Sequence, residues 1–391
     1  MILKRIPEDF KVTEIPVIQE DVKGNYSVYR LRKKNIDTLA ALDVIRRAFS
    51  LAPGDVSCSG LKDKYSVAVQ YVSIKGRQGT KYNLKEPSFF LEFVFYASEP
   101  ILIGKLKGNQ FEITVRKIKA SYLKHLYERV PLLEKGVTNY FGEQRFGSYS
   151  GKKGFIGKAL ITEDYEEALK IYFTHYIKSE NTSKKDLKQY IDNNWLKWNN
   201  VIEYIKKHPG KNDLMGKLIM YLKNSDNDYF GAVKLLPQRH IRLYIEAYYS
   251  FLWNEVTRRV IEKIAEKKFS LSYIAGMLMF YEKVNERDFM HLKWASFNFR
   301  KIDAKSQMKL LIKEAFFDVF KQEGITQELL KKTFFNIGML KRRNLVLFPK
   351  DFKVVSEADD ELYPRFKKVV LTFSLPPGSY ATMVTRILFK H

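Results

Sequence analysis

Strand-like patterns stand at both ends of this 391-residue chain, and helical spacing fills most of the stretch between them. Phe111, Ile113 and Val115 alternate with polar residues, as in a strand that buries one face. From Ile241 to Ile264, apolar residues recur every three to four positions, as on the buried side of a helix. Alternation returns at Val369–Leu375. This order predicts an α+β protein in which the last strands complete a sheet begun by the first residues.

The same patterns divide the chain into three segments. Residues 1–154 read as the first part of a core with a mixed or antiparallel sheet, including a helix over Leu39–Phe49 that Thr38 can cap. Residues 155–340 are mostly helical and are predicted to form an inserted domain. Residues 341–391 carry strand patterns again, so we assign them to the core.

Charge narrows the class of partner. The chain has 68 Lys and Arg against 44 Asp and Glu, which leaves a net charge of +24. With 45% hydrophobic residues it can bury packed cores, so it is not a disordered basic tail. Such a charge attracts polyanions, which indicates nucleic acid or an anionic membrane surface. No apolar stretch is long enough to span lipid, so we expect a soluble, cytoplasmic protein.

Cysteine and histidine usage argues against a metal site. Cys58 is the single cysteine, so neither an intrachain disulfide nor a cysteine-based zinc site can form. The six histidines never lie three to five residues apart, so the local spacing of a histidine metal site is absent. We therefore predict no metal, and we interpret Cys58 as a small buried side chain.

A glycine-rich stretch tests the hypothesis of a nucleotide-binding loop. Gly147, Gly151 and Lys152 resemble a P-loop, but three residues separate the glycines where four are needed. Lys153 stands where Ser or Thr must hold magnesium. Residues 151–154 also match the short clamp of KH modules, without the rest of that motif. A basic turn that can contact phosphate through Lys152 and Lys153 fits better.

Asp63 follows Gly60-Leu-Lys and precedes Lys64 and a strand pattern over Val67–Ile74. This places one carboxylate between two lysines at the edge of a sheet. Spacing alone allows either an ordinary polar turn or a catalytic carboxylate.

Residues 139–147 combine aromatic rings with an amide, an arginine and glycines. These residue types suit the holding of an extruded nucleobase, by stacking, by edge hydrogen bonds and by an arginine on phosphate. A buried aromatic turn is the alternative, and we favour it for Tyr140 and Phe146. Asn139, Phe141 and Arg145 remain candidates for binding, because a polar cluster in a glycine-flanked loop is costly unless it is satisfied or used.

The C-terminal residues from Leu375 to Arg386 read as a strand end, a turn and a short helix, with Ser379 or Thr382 as possible caps. Structural use is the default interpretation. In the functional alternative, the loop brings Tyr380 and Arg386 beside the first domain.

Together these segments resemble the TruD family of pseudouridine synthases. The matching segments, in the family's order, are Lys4 with residues 7–14 (PEDFKVTE), residues 60–64 (GLKDK) with Gln70, residues 139–147 (NYFGEQRFG), and residues 373–382 (FSLPPGSYAT) with Arg386. The resemblance implies a pseudouridine-synthase-like fold: a mixed, mainly antiparallel sheet with flanking helices, interrupted by a mostly helical insertion domain. It also implies that the protein uses no cofactor and no metal.

The resemblance further implies an isomerase that converts uridine to pseudouridine in tRNA, usually at position 13. By the motif match, Asp63 is the catalytic carboxylate, kept ionised by Lys4 rather than by the more solvent-prone Lys62 or Lys64. The match also names candidates for binding the base and for contacting the RNA backbone. For the base these are Phe10, Asn139, Phe141 and Tyr380 beside Lys4, and for the backbone Arg145 and Arg386, which join Lys152 and Lys153 of the basic turn.

The predicted partner is tRNA, bound by a monomer that does not associate with membranes. An RNA-binding or RNA-folding protein that has lost catalytic activity is the rival hypothesis, and a P-loop NTPase is a distant third. A binding module needs positive charge and stacking rings but no carboxylate, which repels phosphate. The presence of Asp63, Asn139 and Phe141 therefore favours the enzyme.

Overall fold

The computed structural model describes residues 1–177, 180–208, 213–298, 306–326, 328–329 and 342–390. The chain divides into two compact units, of which the first comprises residues 1–137 and 347–391 and the second residues 138–346. Residues 138–154, which the sequence patterns assign to the first part of the core, belong to the second unit. The predicted boundary at residues 340 and 341 lies outside the described residues.

The strands are numbered in chain order. They are β1 (Phe10–Pro16), β2 (Tyr26–Lys34), β3 (Val56–Cys58), β4 (Val67–Lys75), β5 (Leu84–Glu86), β6 (Phe89–Ala97), β7 (Leu106–Ile118), β8 (Val137–Thr138), β9 (Tyr149–Ser150), β10 (Gly154–Phe155), β11 (Ala265–Tyr273), β12 (Gly276–Val284), β13 (Ser296–Phe297), β14 (Arg343–Asn344), β15 (Val346–Leu347), β16 (Lys350–Asp359) and β17 (Lys367–Leu375).

The α-helices are numbered in the same way. They are α1 (Thr38–Ala48), α2 (Leu123–Arg129), α3 (Ile156–Ile161), α4 (Tyr165–Thr174), α5 (Thr182–Asn193), α6 (Trp198–Lys207), α7 (Asp213–Asn224), α8 (Tyr229–Lys234), α9 (Gln238–Ile264), α10 (Glu286–Lys293), α11 (Gln307–Glu323) and α12 (Ala381–Phe389). None of the helices in the described ranges is long and apolar enough to cross a membrane.

The first unit is built on one nine-stranded sheet in the order β16-β17-β7-β1-β4-β2-β6-β5, with β3 added beside β4. The C-terminal strand β17 pairs antiparallel with β7, so that Leu371 lies opposite Ile113. The last residues of the chain therefore complete the sheet that the first residues begin, as the alternating patterns predict. The predicted α+β class with a mainly antiparallel sheet is confirmed.

One pair of strands in this sheet is parallel. Lys11 of β1 lies opposite Val67 of β4, and the two strands run in the same direction. Because parallel strands begin at the same edge of a sheet, the residues just before β1 and just before β4 come together there. Those residues include Lys4 and Asp63.

Helix α1 covers one face of the sheet. Its Ala41 and Ile45 are fully buried in a cluster with Leu31 of β2 and Val72 of β4. The predicted cap residue is wrong by one position: the side chain of Asp37 caps the helix by accepting from Ala40 N. The hydroxyl of Thr38 is used elsewhere, since it donates to Gln70 Oε1 at 3.0 Å.

Helix α9 is the central element of the second unit. Its predicted apolar face is buried along the whole length, from Ile241 to Ile264. Other sides of the helix also carry buried residues, among them Trp253. Helix α3 approaches it closely, because a Cβ on Gly157 would lie only 2.2 Å from the carbonyl oxygen of Tyr244. Glycine is thus required for this packing.

The second unit is less uniformly helical than its sequence suggests. Strands β11 and β12 form an antiparallel hairpin that closes through Tyr273 and Gly276, and Gly276 has a φ of 145° that glycine accommodates readily. Phe269, Leu271 and Tyr273 alternate with polar residues, which is the strand pattern that the helical interpretation overlooked.

Candidate functional site

Asp63 lies in the loop between β3 and β4 and forms an ion pair with Lys4. Lys4 Nζ lies 2.5 Å from Asp63 Oδ2, so the ion pair expected from the sequence is present. The two side chains are 21% and 32% exposed, which keeps the pair open to a ligand. A charge-assisted hydrogen bond to an ammonium favours the ionised carboxylate.

The segment that carries Lys4 is anchored by buried charges. The carboxylate of Asp9 accepts hydrogen bonds from the backbone N–H groups of Arg5 (2.9 Å) and Ile6 (3.1 Å). Asp9 is in turn paired with Arg116 at 2.8 Å, and both side chains are almost fully buried. Lys4 itself has a φ of 54°, a left-handed conformation that a lysine adopts only when its surroundings hold it. The backbone of Lys4 is therefore held by the turn that follows it.

Phe10 lies on the other side of the same lysine. Lys4 Nζ is 3.9 Å from the centroid of the Phe10 ring, which gives a cation–π contact. The ring is 6% exposed and packs edge-on against Phe111 with centroids 5.9 Å apart. The structure thus brings Lys4, Phe10 and Asp63 together at one edge of the sheet.

Lys62, beside Asp63 in sequence, was expected to be exposed, but its side chain is buried. Its side chain is 8% exposed, and its Nζ lies 3.1 Å from Glu14 Oε2 and 2.8 Å from Asn109 Oδ1. Glu14 also accepts a hydrogen bond from Ser59 Oγ at 2.5 Å. This buried pair fastens the loop to β1, whereas Lys64 is exposed. Local sequence could not show this because Glu14 is far from Lys62 along the chain.

Asn139 and Phe141 belong to the second unit, where Arg343 holds the amide of Asn139. Arg343 Nη2 donates to Asn139 Oδ1 at 2.6 Å, and Arg343 Nε donates to the backbone oxygen of Asn139 at 2.9 Å. The Asn139 side chain donates from Nδ2 to the backbone oxygen of Asn344 at 3.0 Å. The amide is 6% exposed and has a fixed orientation.

The backbone of Phe141 is held by the side chain of Asn254 on α9. Phe141 N donates to Asn254 Oδ1 at 2.9 Å, and Asn254 Nδ2 donates to the Phe141 oxygen at 3.1 Å. The Phe141 ring is 8% exposed and meets Trp253 edge-on at 5.7 Å. The guanidinium carbon of Arg343 lies 4.2 Å from the ring centroid. Arg343 was missed in the sequence, where its only sign is a pair of arginines before the returning strand pattern.

Tyr140 and Phe146 are both fully buried, in agreement with the predicted aromatic turn. The hydroxyl of Tyr140 donates to the backbone oxygen of Met279 at 2.7 Å, and burial raises the pKa of this phenol well above its usual value. These two rings are structural.

The predicted phosphate contacts have different environments. Arg145 is paired with Glu246 at 2.9 Å, and Lys153 with Asp192 at 2.6 Å. Arg386, in the last turn of α12, is 8% exposed, which disfavours its predicted contact with an RNA phosphate. Lys152 is exposed. Arg145 and Lys153 are partly neutralised within the protein, and Arg386 is buried. Of the four candidates, Lys152 is therefore the most available to phosphate.

The glycine-rich turn that holds Lys152 joins two antiparallel strands, β9 and β10. Lys153 N donates to the Ser150 oxygen at 3.0 Å, which closes the turn. A P-loop connects a strand to the N-terminus of a helix, so this geometry supports the basic turn instead.

Tyr380 follows the end of β17. Ser379 N donates to the Pro376 oxygen, and Gly378 has a φ of 75°, as a type II turn requires. Helix α12 begins after Tyr380, which occupies the N-cap position without a side-chain capping bond. The predicted strand, turn and helix are confirmed, but neither Ser379 nor Thr382 caps the helix. Tyr380 is half-buried.

The described ranges contain no cluster of three or more His, Cys, Asp or Glu side chains that could hold a metal ion. Cys58 is buried, and this burial raises the pKa of its thiol. A thiol that stays protonated is a poor nucleophile.

Comparisons with known proteins agree over almost the whole chain. The family model described as tRNA pseudouridine synthase D (TruD) matches residues 1–388. A probable tRNA pseudouridine synthase D 2 from Methanocaldococcus jannaschii is 37% identical, with 100% of this chain and 92% of the relative aligned. A probable tRNA pseudouridine synthase D 1 from Methanococcus maripaludis is 33% identical, with 98% of both chains aligned.

A solved structure is also similar. The crystal structure of a putative tRNA pseudouridine synthase D from Methanosarcina mazei superposes with a TM-score of 0.72 at 26% identity. The match covers 100% of this chain and 93% of that one.

Proposed function

This chain belongs to the tRNA pseudouridine synthase D (TruD) family, and from that membership we propose that Asp63 is the carboxylate with which it isomerises uridine 13 of tRNA. At the level of the family, the protein is an isomerase that forms pseudouridine in tRNA. The catalytic residue and the position of the target are our proposal.

The reaction explains why one carboxylate suffices. The N1–C1′ bond of uridine breaks, the uracil turns while it is held, and a C5–C1′ bond forms. C5 then loses its proton and N1 gains one, so the atoms balance without an external reactant. The enzyme must extrude the nucleotide, hold the free base and supply a group that can act as nucleophile or base.

The ion pair between Lys4 and Asp63 is the observation that carries the proposal. The two residues come from separate segments of the family resemblance, and the parallel pairing of β1 and β4 brings those segments together. An ammonium 2.5 Å from the carboxylate pairs with its ionised form, and that is the form that both candidate roles of the carboxylate require. Phe10 adds an apolar ring beside the pair.

We assign the holding of the base to Asn139 and Phe141. The Asn139 amide is fixed by Arg343, and the Phe141 backbone is fixed by Asn254. A rigid amide reads the edge of a base and a rigid ring stacks on its face, so both supports favour this role. Tyr380 is a further ring candidate by the same family resemblance.

The test is the substitution Asp63→Asn, which removes the charge at nearly constant size. We expect tRNA binding to persist and the release of tritium from tRNA labelled at uridine C5 to fall by about 1,000-fold or more. Asp43→Asn is the matched control, because Asp43 is an exposed carboxylate on α1 that pairs with Arg46. It should turn over like the wild type.

The same assay separates the rivals. Turnover by Asp63→Asn close to that of the wild type would remove Asp63 from the reaction. Tight binding of tRNA by the wild type without any tritium release would favour an RNA-binding protein instead.

The target position is checked by mapping pseudouridine in the product, with a tRNA that carries cytidine at position 13 as the control. Modification at other positions only would overturn uridine 13 and leave the enzyme assignment in place.

A further inference from the structure

Lys33 is a buried cation directly behind the Asp63 loop. It lies on β2, where its neighbours Arg32 and Lys34 are exposed while Lys33 itself is 2% exposed. Lysine is almost never fully buried unless its charge is compensated, because desolvation of an ammonium is costly. A lysine in this place therefore needs an explanation.

The ammonium of Lys33 has three N–H donors, and three backbone oxygens lie around it. The distances from Nζ are 2.8 Å to the Ile36 oxygen, 3.1 Å to the Lys62 oxygen and 2.7 Å to the Asp63 oxygen. An ammonium has no acceptor to leave unsatisfied, so this arrangement uses its full hydrogen-bonding capacity. Two of the three oxygens belong to consecutive residues of the loop that carries the proposed catalytic carboxylate.

Charges on several elements face this ammonium. Burial lowers the pKa of Lys33 to about 8, while Asp63 and Asp37 oppose that change and Lys62 adds to it. The cation is thus retained at neutral pH despite its burial.

Other hydrogen bonds also restrain the backbone of the same loop. Ser66 Oγ donates to the Asp63 oxygen at 2.8 Å, so that oxygen accepts from both Ser66 and Lys33. Lys62 N donates to Thr38 Oγ1 at 3.0 Å. The backbone on both sides of the Lys62–Asp63 peptide is therefore fixed, while the carboxylate of Asp63 meets Lys4.

We propose that Lys33 is a positioning residue for the isomerisation: its ammonium holds the backbone oxygens of Lys62 and Asp63 and so fixes where the Asp63 carboxylate points. The inference rests on the proposed catalytic role of Asp63. Lys33 is buried, so its proposed effect on the reaction is exerted through Asp63. Displacement of a reacting group by about 1 Å can cost about 100-fold in rate, so a small shift of this loop is sufficient to impair turnover.

The first variant is Lys33→Met, which keeps most of the length of the side chain and removes all three donors. We expect kcat for tritium release to fall by about 100-fold, with the Kd for tRNA within about twofold of the wild type, when both are measured well below the melting temperature. Lys34→Met is the matched control on the same strand, because Lys34 is exposed and pairs with Glu8. Its kcat should match that of the wild type.

Ser66→Ala is the second variant, for the case in which Lys33→Met fails to fold. It removes the other donor to the Asp63 oxygen and leaves the buried ammonium in place. We expect kcat to fall by about 5-fold at unchanged Kd, whereas a purely structural role would lower only the melting temperature. If Lys33→Met folds, its unchanged kcat overturns the inference; if it does not fold, unchanged kcat in Ser66→Ala does so.

These outcomes are distinct from failure of the proposed function. If Asp63→Asn remains active, Asp63 is not catalytic and the role of Lys33 falls with it. If Asp63→Asn is inactive but the folded Lys33→Met turns over like the wild type, the assignment of Asp63 stands and only the positioning role of Lys33 is wrong.

Discussion

The loop that carries Asp63 and the loop that carries Asn139 and Phe141 belong to different units, and a cation anchors each of them. In the first unit, Lys33 donates to three backbone oxygens around the Asp63 loop. In the second, Arg343 donates to the backbone and to the amide of Asn139 and also covers the ring of Phe141. Both loops thus depend on a side chain that their own sequences do not contain.

The choice of cation differs for a physical reason. Lysine is a compact charge whose three donors can reach oxygens in different directions, and its pKa falls when it is buried. Arginine is planar, stays charged and can both form a fork of hydrogen bonds and stack on a ring. The Asp63 loop needs only its backbone fixed, whereas the Phe141 loop needs an amide and a ring fixed together.

Apart from Asp63→Asn and Lys33→Met, the largest effect is expected from Arg343→Met, which removes the hydrogen bonds to Asn139 and the cation over Phe141. We expect kcat/KM to fall by about 100-fold and the free energy of unfolding by about 3 kcal/mol, because buried acceptors lose their donor. Tritium release and urea unfolding measure the two effects. Arg343→Lys should recover only part of the activity, since a point charge cannot replace the planar fork.

Arg342→Met is the control for this prediction, because Arg342 is the exposed neighbour of Arg343. Wild-type values for Arg343→Met in both measurements would show that the Phe141 loop does not depend on its cation, and the comparison between the two loops would break.

Lys33 and Arg343 should also differ in how stability changes with pH. The pKa of Lys33 is about 8 in the folded protein, below its value of about 10.4 in an unfolded chain, so the unfolded state binds more protons between these values. The cost of the buried charge is therefore fully present below pH 8 and is relieved as the pH rises towards 10.4. Relative to Lys33→Met, the wild type should gain about 2 kcal/mol of stability across this window.

Urea unfolding at several pH values from 7 to 10 tests this difference. The same comparison of the wild type with Arg343→Met should give a constant difference, because arginine does not titrate there. Parallel curves for the wild type and Lys33→Met would mean that Lys33 is not a buried cation in solution.

The smallest effect is expected from a cation that faces solvent. Lys152→Ala should weaken tRNA binding by about twofold to threefold and reduce the slope of log affinity against log salt concentration by about one. Lys207→Ala is the control, because Lys207 is exposed on α6 but already paired with Glu203. Filter binding at several salt concentrations measures both. Equal slopes for the two variants would remove Lys152 from the RNA contact.

The sequence predicted those parts of the fold that follow from local periodicity. Alternation at Phe111, Ile113 and Val115 marked β7, and the repeat from Ile241 to Ile264 marked α9. The hairpin of β11 and β12 was missed, because the alternation at Phe269, Leu271 and Tyr273 is short and lies within a region of helical spacing.

Within the site, motif resemblance identified Lys4 and Asp63 as neighbours, and the structure contains their ion pair. It could not identify Lys33 or Arg343. Their partners are mainly backbone oxygens, which every residue has, and in the case of Arg343 those partners lie about 200 residues away. The exposure of Lys62 was judged wrongly because its partner Glu14 lies on β1, far from Lys62 along the chain. Tertiary hydrogen bonds of this kind leave no periodic trace in a sequence.

The position of β17 between β7 and β16 has a consequence for synthesis of the protein. While the ribosome is still making the second unit, the nascent first unit lacks β17. The edge of β7 is then unpaired, including at Phe111, which lies opposite Phe373 in the finished sheet. Unpaired strand edges promote aggregation, so this half-finished sheet is the state in which a molecular chaperone would matter most. Pairing of β17 with β7 then closes the edge within a single molecule.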